Sequence, residues 1–142
     1  MRVLLSISIC CAAMATDLAH VQVEPNLERR SHLALEHAEQ SLKASRQAYN
    51  DGDLQRTAAL LDEVAQSVDL AEKSLEATGK NPSKSPKHFK FAEITTGDLL
   101  RKIDAFSRDM NAADRPMTEK MKEKVQDAHD RLLHGIMTGK KK

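Results

Sequence analysis

Residues 54–75, LQRTAALLDEVAQSVDLAEKSL, decide the fold class of this chain. Leu54, Thr57, Leu61, Val64, Val68, Ala71 and Leu75 recur at alternating steps of three and four. Residues so spaced fall on one face of an α-helix, and a mean step near 3.5 suits packing against other helices.

The same spacing extends in both directions. Leu35, Ala38, Leu42, Ser45 and Tyr49 make an earlier stripe. Ala92, Thr96, Leu99, Ile103, Phe106 and Met110 make a third, and Met117, Met121, Val125, Ala128, Leu132 and Ile136 a fourth. No period-two alternation persists, so the expected class is all-α. The breaks agree with the stripes. Pro25 can open the first helix, and Asn50-Asp51-Gly52-Asp53 breaks it from the second, with Asp53 as the next cap. Gly79 closes the second helix, and a turn at Asn111 to Asp114 precedes Pro116, with Asp114 a candidate cap. Gly139 stops the last. Thr95-Thr96-Gly97-Asp98 could begin a new helix, but the stripe keeps its phase from Ala92 to Met110, which favours one helix bent near Gly97.

These signals predict two antiparallel hairpins, about 25–78 and 86–138, joined by a linker over 79–85 and docked as an up-and-down four-helix bundle. Two loosely coupled hairpins are the alternative. Residues 16–24 read as a disordered segment before the bundle, and 139–142 as a basic tail. Small or polar seam residues (Ala38, Ser45, Thr57, Ala71, Thr96) permit close helix approach but bury little area, which suggests modest stability and help from dimerisation.

The first residues read as a cleavable signal peptide over 1–15. Met1 and Arg2 give a positive start, Val3 to Met14 run apolar, and Ala13-Met14-Ala15 has the small-x-small cleavage pattern. The run is too short for a membrane span, and Cys10 and Cys11 lack the small preceding residue that a lipoprotein signal prefers. Cleavage implies a periplasmic or secreted protein with no stable membrane insertion. It would remove both cysteines, and with them disulfides, thiolate metal sites, cysteine nucleophiles and covalent c-type haem. Arg2 would go too, leaving 21 basic against 21 acidic residues and no overall attraction for nucleic acid.

Candidate sites are sparse. His32 and His37 are five apart, as are His129 and His134, and five residues turn a helix by about 500°, so neither pair shares a face. The Glu-x-x-His pattern of di-iron bundles is absent. Asp130 with His134, or Glu28 with His32, could form surface pairs. His129 and His134 are the weak metal candidates, His20 is read as a tail residue, and no cofactor is expected. No glycine-rich phosphate loop or strained serine elbow supports an enzyme. The basic loop of Lys80, Lys84, Lys87, His88 and Lys90 could hold an anionic surface or simply be solvated. Met110, Met117 and Met121 sit on the stripes and read as core, although thioethers, including Met137, could bind a soft ion or form an adaptable contact surface.

Ser41 to Glu76, with Tyr49-Asn50-Asp51-Gly52-Asp53 at the bend, looks like a tetratricopeptide-type helix pair. Its helices are longer than the family's, Asp69 stands where the closing proline is usual, and no second copy follows. The second half carries Pro86-Lys87-His88-Phe89-Lys90, Asp98-Leu99-Leu100-Arg101-Lys102-Ile103-Asp104 and Asp114-Arg115-Pro116-Met117, and it ends in Gly139-Lys140-Lys141-Lys142. It resembles small uncharacterised exported bacterial helical proteins. That resemblance implies a bacterial cell-envelope setting and a helical fold, and it brings no activity or ligand. The expected role is therefore a non-catalytic interaction or scaffold module, binding a protein partner or itself, with Tyr49, Lys80, Lys84, Lys87 and Lys90 as candidate contacts. A ligand- or metal-binding bundle acting as sensor or buffer in the periplasm is the alternative.

Overall fold

The computed structural model describes residues 17–139, which form five α-helices and no strand. They are α1 (Leu18–Gln22), α2 (Leu27–Asn50), α3 (Leu54–Ala77), α4 (Lys87–Asp109) and α5 (Pro116–Thr138). The expected signal peptide lies outside the described residues. The helical class is as the spacing predicts, but the count is five rather than four. Part of the stretch expected to be disordered is α1, capped by Asp17 and docked on α2 and α3. Val21 anchors it, buried in the core, with Leu18 packed beside it. Leu18 and Val21, three positions apart, make too short a line for a periodic signal, yet both pack on the core.

Each long helix begins and ends for local reasons. α2 opens at Leu27, two residues after Pro25, and Asn26 caps it: its Oδ1 accepts from the Arg29 N–H at 2.9 Å. Asp53 caps α3 in the same way, accepting from the Arg56 N–H at 3.0 Å. Between them Gly52 takes φ +78°, a left-handed conformation that a side chain would strain. Asp114 does not cap α5; Pro116 opens that helix with no side-chain cap, and the Asp114 carboxylate is used elsewhere. α4 runs unbroken through Gly97. A Cβ there would sit 3.3 Å from Cε1 of His129, so the glycine lets α5 approach.

The stripes face inward almost throughout. Leu35, Leu61, Val64, Leu75, Leu99, Ile103, Phe106 and Val125 are essentially fully buried. Leu54 departs from its stripe, being the first residue of α3 and exposed.

Neighbour relations differ from a simple up-and-down ring. α2 pairs with α3, and α4 with α5, as antiparallel hairpins. α2 then lies along α4 and α3 along α5, while α2 and α5 do not meet and α3 touches α4 only sparsely. Contacts on α2 and α4 advance together, Glu28 to His88, Glu39 to Lys102 and Arg46 to Asp109, so these two helices are parallel. The 79–85 linker must therefore cross the end of the bundle. Pro82 is buried there, and Asn81 donates from Nδ2 to the Gly139 carbonyl at 3.3 Å while its Oδ1 accepts from Ser83 and Lys84. The two hairpins are thus joined closely, not loosely.

Candidate functional site

The end of the molecule where the linker crosses holds a polar grouping drawn from α2, the linker and α4. α2 enters there with Glu28 and His32 one turn apart, and α4 begins there with His88 and Phe91. His32 Nε2 lies 3.0 Å from His88 Nδ1, one ring donating and the other accepting. The second nitrogen of His88, Nε2, faces Glu28 Oε2 at 3.3 Å. Lys80 donates to the other Glu28 oxygen at 2.5 Å. Phe91 lies flat against His32, with centroids 3.9 Å apart and planes 10° from parallel. Burial lowers the His32 pKa from the usual histidine value, and the charge of His88 acts in the same direction. The Lys80 hydrogen bond holds the Glu28 carboxyl below its ordinary range.

The sequence pairing of Glu28 with His32 is not the contact that forms; Glu28 serves His88 and Lys80. Asp130 likewise accepts from Gln126 and not from His134. His129 turns inward against α4, with Nδ1 3.1 Å from both Thr96 Oγ1 and the Glu93 carbonyl. His134 is half-buried one turn away. Among the described residues no group of three or more His, Cys, Asp or Glu is placed to hold a metal ion. His37 is buried between α2 and α3; Glu63 Oε2 approaches its Nε2 at 3.3 Å, but neither ring nitrogen has an aligned hydrogen-bond partner. His20 lies exposed on α1.

The candidate contact residues separate. Tyr49 works inside the molecule: its hydroxyl donates to Asp114 Oδ2 at 2.8 Å and accepts from the Asn111 N–H at 2.9 Å. It thereby ties the α2 end to the α4–α5 turn, with its ring edge-on to Phe106. Lys80 is engaged by Glu28, whereas Lys84, Lys87 and Lys90 are exposed along the linker and the start of α4. Met110 and Met121 are buried, Met117 packs on the core, and Met137 is 75% exposed.

Two surface features had no clear sequence signal. A bidentate pair joins α3 to α5, Arg131 Nε to Glu72 Oε1 at 2.5 Å and Nη2 to Oε2 at 2.8 Å. Glu72 is buried, and this hydrogen bonding keeps Arg131 fully charged. The pair lines a polar groove of about 370 Å³ between α3 and α5. The second feature is apolar: Phe91 and Ile94 on α4, and Leu133 and Met137 on α5, remain 38–75% exposed. Gly97 opposite His129 sets the antiparallel register, which brings Leu133 alongside the turn that carries Ile94. No described helix is long and apolar enough to cross a membrane. Compared with protein-family models, curated proteins and solved structures, the chain has no match, so its function is argued from its own residues.

Proposed function

We propose that this is an exported, non-catalytic interaction module of a bacterial cell envelope that works by pairing with a second copy of itself. The carrying observation is the exposed apolar face of α4 and α5, centred on Ile94, which is 60% exposed. Paired copies need a self-complementary patch, since a two-fold interface uses the same surface on both partners. α4 offers one. Lys90 and Asp98 stand one turn before and one turn after Ile94 on the same face. A two-fold axis through Ile94 sets each Lys90 over the partner's Asp98, while Phe91, Ile94 and Leu133 supply the apolar centre. Charged residues at the edge of such a patch fix register, and the buried apolar centre carries the affinity.

The non-catalytic reading rests on the sequence, which carries no glycine-rich phosphate loop and no strained serine elbow. Export rests on the apolar leader and its cleavage pattern.

Sedimentation across a concentration series tests the pairing. The full chain should shift from monomer to dimer as concentration rises, and Ile94→Glu should stay monomeric with unchanged helicity. A wild-type monomer throughout, or a dimer indifferent to Ile94→Glu, rejects this reading. Mass measurement of the N-terminus after expression in a bacterial host tests export separately; an intact chain retained in the cytosol overturns it.

A further inference from the structure

Two stretches far apart in sequence carry charge of one sign. Residues 79–90 hold Lys80, Lys84, Lys87 and Lys90, residues 139–142 hold Lys140, Lys141 and Lys142, and neither stretch contains an acid. These are seven of the chain's 22 lysines and arginines and none of its 21 acids, so the remaining residues carry an acidic excess. The fold brings the two stretches together. Gly139, from which the lysine run continues, lies so close to the linker that a Cβ on it would sit 2.6 Å from Ser83 Oγ. Asn81 holds the Gly139 carbonyl from the same side.

α2 and α4 begin at this end of the molecule, and α3 and α5 finish there. Two of its acids are answered locally: Glu28 accepts from Lys80, and Glu24 pairs with Arg29 at 3.5 Å. Glu76, on the last turn of α3, lowers the cationic excess without reversing it. Lys84 and Lys87 are exposed and make no ion pair among the described residues. The same end carries the two most exposed large apolar side chains among the described residues. Met137, on the last turn of α5, is 75% exposed, and Val23, just before α2, is 74% exposed. A polyanion dissolved in water gains little from aliphatic side chains, whereas a lipid surface offers phosphates and an apolar boundary side by side.

We infer that the linker end docks on an anionic phospholipid surface. Lys84, Lys87 and the lysines that follow Gly139 meet headgroup phosphates, and Met137 and Val23 enter the acyl boundary. The same surface repels the acidic remainder of the chain, which favours a bundle standing on this end over one lying on its side. Such attachment is reversible and sensitive to salt. It does not rest on pairing through Ile94. Lys90 is left out of it because the pairing sets Lys90 against Asp98, and the antiparallel α4 helices of a pair would turn the two basic ends opposite ways.

Sedimentation of the full chain with vesicles tests the inference, using phosphatidylglycerol mixed with phosphatidylcholine against phosphatidylcholine alone. The chain should bind the anionic vesicles, and release should follow as salt rises from about 50 to about 500 mM. Lys84→Gln and Lys87→Gln should each weaken binding about fivefold, and glutamine at Lys140, Lys141 and Lys142 together about a hundredfold. Val23→Ser with Met137→Ser should weaken it about tenfold while the salt dependence persists. Lys120→Gln, on the first turns of α5 at the opposite end, should leave it unchanged. All these positions lie on the surface or beyond Gly139, and circular dichroism should show unaltered helix content. Ile94→Glu should bind no less tightly than wild type. Equal binding to both kinds of vesicle, as the apolar leader alone would give, overturns the inference. So does binding unchanged by glutamine at all five lysines, or binding lost in Ile94→Glu. A DNA duplex bound more tightly than the anionic vesicles, whatever stands at positions 23 and 137, would mark a general polyanion site and overturn it equally.

Discussion

The α2–α3 seam and the core around α4 hold helices together in opposite ways. α2 and α3 share the most extensive contact among the described helices, and many of their buried residues are short: Ala34, Ser41, Ser45 and Ala48 on α2 and Ser67, Ala71 and Ser74 on α3, with His37 the large polar exception. Ser45, Ser67 and Ser74 satisfy their hydroxyls on carbonyls of their own helices, so they can be buried without a partner across the seam. α4 instead inserts Phe89, Leu99, Ile103 and Phe106. Small side chains gain stability by bringing backbones close, whereas large ones gain it by removing apolar area from water. The first seam is intolerant of added volume, and the second of lost volume.

Truncation at the second should have the largest effect. Phe106 is 1% exposed, with Tyr49 edge-on to its ring and the Arg46 guanidinium 5.9 Å from its centroid. Phe106→Ala should cost about 4 kcal/mol in urea denaturation. A loss under about 1 kcal/mol would mean that the groove beside Leu42 and Phe106 collapses to fill the space. Enlargement at the first comes next. Ala34 is fully buried one heptad before Ser41, so Ala34→Leu must push α3 away and should cost about 2 kcal/mol. Were it neutral, the close seam would not contribute as described.

The smallest effect concerns the polar contact between the hairpins. Because burial lowers the His32 pKa, the unfolded chain binds that proton more readily than the folded one. Stability from this group is full above the ordinary histidine value of 6.5, declines as pH falls below it, and levels off once the folded ring is also protonated. His88, Glu28 and Lys87 face His32 from α2 and α4, and Glu36 sits on its own helix. Urea midpoints at about pH 7.5 and about pH 5 should therefore differ less in His32→Gln than in the wild-type chain. Equal pH dependence in both would detach His32 from the hairpin contact.

Much of the architecture was legible residue by residue. The run from Ala92 to Met110 kept its phase through Gly97, and α4 is a single helix there. Gly52, Gly79 and Gly139 all adopt positive φ at helix ends. Other expectations failed where a distant group intervened. Asp114 resembles a cap in sequence, but the Tyr49 hydroxyl, 65 positions away, takes its carboxylate. Glu28 sits one turn before His32, but Lys80 and His88 compete for it successfully from the linker and α4. Histidines grouped by nearness in sequence gave His129 and His134, whereas docking brought together His32 and His88. α1 was missed because five residues carry too few turns for a periodic signal.

Helix content, helix ends and inward faces follow from the sequence alone, since each depends on spacing or on φ preferences within a few residues. Which helix covers each face was decided only by the tertiary structure. An apolar stripe records that it must be buried but not by whom. The parallel alignment of α2 with α4, the Glu72–Arg131 fork and the two-histidine contact all arise from that choice, because they depend on side chains that meet only after the hairpins have docked.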